Sequence, residues 1–436
     1  MSCKKKFDSH ILRLAKSIRL RPETPDSPPS ASFFTGNKLP FESFGRIGFS
    51  WWYSADTFYT LDVVATLFVQ TSSEFHGCDI ETVKETVSNV LQDICVERSV
   101  FDVDAVLLRK KITLYDCIAI SPLEFATSIH REICTRLRQN MGCQSTIYPV
   151  PRFAVPSFVV PGEGVQLISC DDQEAWSRFV DSGYVVDQWS PLKSNLNSND
   201  ANAFSLPKGT TCLLVSEDNG TQRGTKFNAV LKLRVLSALL FASGCESTQY
   251  GISKSMADPF RLLLQFPHKT NSNHWISSDY TEPLIPYSAS DVSLDSRDVN
   301  SLLKWYERYG RCNGEQKGRL EKCAYFVSRA STADEIDSYI NYFVALDALF
   351  GRRGAVERSI VNGVSALNIE KSLVEKTTYL FDLRSELVHG GSRYSAEWPG
   401  YEKYRNHFRS DPNDDVRDLA HAALLQASEL FLENKD

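Results

Sequence analysis

At 436 residues the chain exceeds one ordinary core, and 42% hydrophobic with 23% charged residues is the balance of a folded globular protein. A net charge of −6 argues against a global basic field, so any contact with nucleic acid must be made by a local patch. Eleven cysteines without a CxxC pair argue against a zinc site and read as reduced thiols of a cytoplasmic protein.

The first element is expected at 7–20, "FDSHILRLAKSIRL", where Phe7, Ile11, Leu14 and Ile18 fall at helical spacing with Arg13, Lys16 and Arg19 around them. Such a stripe packs on its own domain more often than it serves an acidic surface or partner. The basic start, "MSCKKKFDSH", has no apolar core behind it and does not read as a secretory leader. "RPETPDSPPSAS" reads as a linker, because its prolines break regular structure.

"FGRIGFSWWYSADTFYTLDVVATLFVQ" is aromatic and β-branched and is expected to be strand-like. Its end, "YTLDVVATLFVQ", is the longest apolar run identified; it is too short to span a bilayer and contains Asp62, so no membrane contact is expected. "DIETVKETVSNVLQDICVE" is helical by its spacing. So is "SPLEFATSIHREICTRLRQNMG", where Ser121 and Glu124 make a capping box, Pro122 fits the first turn, and Phe125, Ile129, Ile133 and Leu137 form the stripe. "STIYPVPRFAVPSFVVPGEG" is extended, "TTCLLVSED" is a buried strand, and "KFNAVLKLRVLSALLFASG" is a helix ending on Gly244. No phosphate loop, dinucleotide fingerprint, nucleophile elbow or zinc-protease motif occurs in this half.

"PYSASDVSLDSRD" marks a boundary, and helical segments follow at 298–311, 317–350 (broken near Ser331), 354–367, 370–389 and 414–433. The expected fold is therefore multidomain: an N-terminal helix and linker at 1–35, an α+β region at 36–285, and an all-α helical bundle at 298–436.

Two charges interrupt apolar rows of that bundle. In "DSYINYFVALDALFG" the row runs Ile336, Ile340, Phe343, then Asp347. In "EKSLVEKTTYLFDLRSELVHGG" it runs Leu373, Thr377, Leu380, then Arg384, then Leu387. Burying either charge alone costs several kcal/mol, so an Asp347–Arg384 pair is expected, either structural or functional. His389 lies about 140° around the helix from Arg384 and precedes Gly390 and Gly391. Those glycines predict that the helix stops there, with His389 in its last turn.

"YFVALDALFG" followed by "DLRSELVHGG" resembles the HEPN superfamily, most closely its Apea-like branch, over about residues 298–436. The matching positions are Arg384, Ser385 and His389, with the acidic position of the preceding core helix at Asp347; many active members carry asparagine where this chain has Ser385. The resemblance implies a metal-independent endoribonuclease, without cofactor, working as a homodimer whose two Arg–His pairs line one cleft. Arg384 and His389 would be catalytic, Asp347, Ser385 and Glu386 supporting, and Arg393 and Arg358 substrate-binding. Arg352, Arg353 and Arg405 are further candidates for an RNA patch, which must be local because 298–436 carries 19 basic against 22 acidic residues. By analogy the α+β region would sense a protein or small-molecule trigger, and the whole would be an effector in phage defence or a toxin-like system. The competing expectation is a non-catalytic helical module that binds a partner, with Arg384–Asp347 structural and His389 a helix ending.

Overall fold

Apolar residues spaced three and four apart, interrupted by capping residues, set most of the helices in the computed structural model. It describes residues 3–21, 24, 26–34, 48–97, 113–117, 121–179, 206, 209–244, 262–267, 277–285, 292–333, 335–390, 394 and 397–433. The chain forms an α+β region followed by a run of helices, and it divides into two compact units, Met1–Gln144 with Asn219–Lys226, and Ser145–Asp218 with Phe227–Asp436. These two units differ from the three segments expected from composition. The helices after residue 296 share one hydrophobic core with strands and a helix of the preceding region.

In the first unit, α1 (Cys3–Ser17), α2 (Ala55–Thr71), α3 (Ile80–Glu97) and α4 (Pro122–Asn140) pack beside a sheet of β1 (Ile18–Arg19), β2 (Ala31–Phe34) and β3 (Gly48–Tyr53), in the order β1-β3-β2. Both pairings are antiparallel, with Ile18 opposite Tyr53 and Ala31 opposite Trp51. The α1 stripe of Phe7, Ile11 and Leu14 is fully buried in this unit's core, so the basic helix packs on its own domain. At α4 the capping box forms as expected, with Ser121 Oγ accepting from Glu124 N–H at 3.3 Å.

Residues 55–71 correct the strand expectation. Only β3 is extended; α2 follows it and buries Thr57, Thr60, Val64, Ala65 and Phe68 at helical intervals. The helix start is set by Ser54, whose N–H donates to the Thr57 hydroxyl at 3.1 Å. Local aromatic and β-branched content is overridden by that cap and by burial on one face.

The second unit holds β4 (Gly142–Pro151), β5 (Phe153–Ala154), β6 (Phe158–Val160), β7 (Val165–Ser169), α5 (Gln173–Phe179), β8 (Thr210–Gly220), α6 (Gln222–Gly244), β9 (Leu262–Pro267), β10 (Ser277–Tyr280) and β11 (Val292–Ser293), β4, β8 and α6 each having some residues in the first unit. Six strands form one sheet in the order β10-β9-β4-β8-β7-β6, and β11 pairs with β5 in parallel. Alternate residues serve two cores: Cys212 and Leu214 join one cluster, Leu213 and Val215 the other. By length and composition α6 could cross a membrane, which the sequence reading passed over; 56% of its apolar window is buried inside the protein.

The helices that follow are α7 (Ser296–Arg311), α8 (Gly314–Ser331), α9 (Glu335–Phe350), α10 (Val356–Ser365), α11 (Lys371–Gly390), α12 (Pro399–Phe408) and α13 (Pro412–Glu433). The expected break near Ser331 separates α8 from α9. Helix α12 was not expected; its signal was Pro399 at the first helical position. Buried aromatics tie the bundle together: Trp305 Nε1 donates to the Leu424 carbonyl at 2.9 Å, and Tyr339 OH to the Leu380 carbonyl at 2.7 Å.

Candidate functional site

Helix α11 carries the candidate residues, and its inward row decides where each points. Thr377, Leu380, Leu383 and Leu387 are buried. Leu383 therefore takes the core position expected for Arg384, and Arg384 lies half-buried on the flank. Its guanidinium sits over the Phe381 ring at 5.7 Å from the centroid. No ion pair or hydrogen bond links its side chain to any described residue.

Asp347 corrects a second expectation. The inward row of α9 runs Tyr339, Tyr342, Phe343, Leu346, Leu349 and Phe350, one position round from the predicted row. Ile336 and Ile340 are only partly buried, and Asp347 is exposed. Two tyrosines and a phenylalanine bury more area than two isoleucines and set the helix rotation. Asp347 and Arg384 form no pair; the Asp347 carbonyl instead accepts from Gly351 N–H at 2.7 Å, closing the helix.

The neighbours of Arg384 are held by structural bonds. Ser385 Oγ donates to the Phe381 carbonyl at 3.3 Å, one turn back on its own helix. Glu386 accepts from Gly400 N–H at 3.2 Å, so its carboxylate caps the amino end of α12, where negative charge is stabilised. A Cβ at Gly400 would collide with Leu383, which explains why this close approach uses glycine.

Helix α11 runs through Gly390, so His389 is within its last turn. Regular helix geometry separates positions 384 and 389 by about 140° around the axis and about 7.5 Å along it. Val388 and Tyr394, on either side of His389 in sequence, are 50% and 62% exposed. Arg393 lies outside the described residues. Arg352, Arg353, Arg358 and Arg405 are all exposed, the first two in the turn after α9, Arg358 on α10 and Arg405 on α12.

A buried ion pair of this region was not read from the sequence. Lys376 Nζ meets Asp415 Oδ1 at 2.8 Å, with side-chain exposures of 12% and 9%. Asp415 Oδ2 also accepts from Tyr404 OH at 2.8 Å and Ser410 Oγ at 2.5 Å. Burial and the adjacent Asp415 carboxylate both push the Tyr404 phenol well up from its ordinary value. Asp415 precedes the apolar Leu419 by one turn of α13, so the reasoning applied to Asp347 would have found it.

His421, on the same helix, is also buried, with its ring edge-on to Tyr342 at 5.8 Å and Nε2 without a hydrogen-bond partner. Burial, then the nearby Arg417 cation, push its pKa down to about 3. Arg417 pairs with Asp414 at 2.8 Å and Asp418 at 3.0 Å, and burial raises the Asp418 carboxyl against that attraction.

No family model, curated protein or solved structure matches this chain.

Proposed function

We propose that the chain is a HEPN-type endoribonuclease whose catalytic residues are Arg384 and His389 of α11. The observation that carries this reading is Arg384 itself, a half-buried guanidinium without a carboxylate partner among the described residues, near a helix end that bears a histidine. A guanidinium that holds no carboxylate keeps its planar fork available to an incoming anion. In the proposed reaction the RNA 2′-hydroxyl attacks its own phosphorus and the bond to the 5′-oxygen breaks. His389 moves protons between these oxygens, and Arg384 holds the charge that builds on the non-bridging oxygens. The products are a 2′,3′-cyclic phosphate and a 5′-hydroxyl.

One helix does not bring positions 384 and 389 to one face, so the proposed site is assembled by two copies of the bundle, each contributing its α11 end. Exposed Val388 and Tyr394 beside His389 supply apolar surface for that contact. In this reading the α+β region regulates the nuclease, which acts in the cytoplasm as a defence or toxin-like effector.

A second reading has a specific observation behind it. Ser385 and Glu386 are both engaged in structural bonds, and Asp347 does not orient Arg384. These features favour a non-catalytic helical module that binds a partner.

The test compares wild type with His389→Ala, both verified as folded by circular dichroism, on total RNA in EDTA. The nuclease reading expects cleavage by wild type only, with 2′,3′-cyclic phosphate ends. Intact RNA in both, with purified protein alone and with infected-cell extract added as a source of triggers, overturns it in favour of the binding module.

A further inference from the structure

A cleft of about 420 Å³ opens at the carboxyl end of α12, lined by Glu402, Arg405, Asn406, Arg409, Ser410 and Asp411. Two of its groups are occupied by their own structure. The Asp411 carboxylate accepts from Tyr401 OH at 2.7 Å and from Asn413 N–H at 2.9 Å, and the Ser410 hydroxyl donates to Asp415. The groups left without such bonds are the two guanidinia, the Asn406 amide and the exposed Glu402 carboxylate, while Asp411 keeps its negative charge.

Like Arg329, Arg352, Arg353, Arg358 and Arg384, the two arginines hold no carboxylate among the described residues, but they share one cleft. Arg297, Arg308, Arg311, Arg319 and Arg417 each hold a carboxylate. The Arg405 guanidinium rests over the Tyr401 ring at 5.8 Å. Arg409 adopts φ 57 and ψ 27, the left-handed turn that ends α12, with its N–H on the Arg405 carbonyl at 2.9 Å. Glycine or asparagine takes that conformation with less strain. The bend brings position 409 to the cleft one turn beyond Arg405. Two planar forks and an amide lining one concave, solvent-open site are the donor types that suit the oxygens of a phosphate group.

We propose that Arg405, Arg409 and Asn406 form a phosphate-binding site separate from the α11 end. It rests on the nuclease reading only for its natural source, a phosphodiester of the RNA strand; a free nucleotide presents the same chemistry.

The test is made in full-length His389→Ala protein, so that RNA stays intact. Binding of a fluorescent 12-nucleotide RNA is measured by anisotropy across a salt series, and inorganic phosphate and ATP are titrated by calorimetry. Adding Arg405→Ala and Arg409→Ala together is expected to weaken phosphate-ligand binding about tenfold or more and, if the ligand is RNA, to lower the salt slope by about 1.4, two contacts' worth on a single strand. Arg409→Gly guards against misfolding: it relieves the left-handed strain, and is expected to hold or raise the melting temperature while still weakening binding. RNA bound through the arginines more tightly than phosphate or ATP identifies the strand as the source, and ATP or phosphate bound that way in preference to RNA identifies a free phosphate compound. The proposal is overturned if the double variant binds within twofold of its parent, or if the parent binds none of the three probes. Arginine-dependent RNA binding by a protein whose wild type never cleaves RNA would remove the nuclease and keep the site. Cleavage by wild type with unchanged binding in the double variant would do the reverse.

Discussion

Asp415 shows at the scale of one residue how a charge is held inside this bundle. Its two oxygens receive an ammonium and two hydroxyls, so the ion is compensated on both sides. Lys376→Met removes the ammonium and leaves Asp415 with the hydroxyls alone. That change is expected to cost about 3 kcal/mol, the low end for breaking a buried pair, because the hydroxyls remain. Urea melts of Lys376→Met, Asp415→Asn and the double variant measure the coupling; additive losses would mean that the two groups do not interact. His421 makes a pH prediction of definite sign. Its folded pKa, about 3, is below the ordinary histidine value, so the unfolded chain binds the extra proton first. Stability from keeping it neutral is complete above about pH 6.5 and falls by about 1.4 kcal/mol per pH unit as acid approaches the folded value. His421→Phe keeps a ring against Tyr342 and removes the unpartnered Nε2, so it should flatten this part of the stability–pH curve between pH 6 and 4. An unchanged slope would show that the acid response arises elsewhere.

Helix rotation, at the scale of elements, separates what the sequence made legible from what it did not. Helices α4 and α7 were readable because their caps and apolar spacing agree with their burial, and α6 and α13 because their apolar residues are buried. On α9 and α11 two apolar rows compete, one residue apart. Aromatic bulk at Tyr339 and Tyr342, and Leu383 in place of Arg384, select the row that leaves Asp347 in water. A count of apolar positions does not rank the rows; the volume each places in the core does. Close crossings are also invisible without partners, and glycines test them. A Cβ at Gly363 of α10 would overlap the buried ring of Phe350, whereas one at Gly318 of α8 would meet nothing. Gly318→Ala should therefore stabilise by about 0.5–1 kcal/mol through helix propensity alone. Gly363→Ala receives the same gain but forces Phe350 aside at about 1–3 kcal/mol, so its net effect is a loss. Thermal melts giving both variants the same sign would contradict the close α9–α10 crossing.

For the whole molecule the proposed nuclease depends on assembly, because a single α11 keeps its own two candidate residues apart. Positions 384 and 389 differ by about 140° on a continuous helix, and no side-chain rotation of Arg384 alone reverses which face it leaves from. If two copies build one cleft, then an arginine from one chain can work with a histidine from the other. Arg384→Ala and His389→Ala proteins are each expected to be inactive. Mixed in equal amounts and allowed to exchange, about half of their dimers carry one of each. Those dimers retain one arginine and one histidine from different chains, and RNA cleavage should reappear in the mixture. Each protein alone at the same total concentration is the control, and exchange is confirmed by pulling down one tagged chain with the other. Confirmed exchange without recovered cleavage, under conditions where wild type cuts, would mean that each site needs more than one arginine and one histidine or is not shared between chains. A wild type that proves monomeric by sedimentation yet still cuts would exclude the shared cleft directly, and would require the last turn of α11 to unwind so that His389 approaches Arg384.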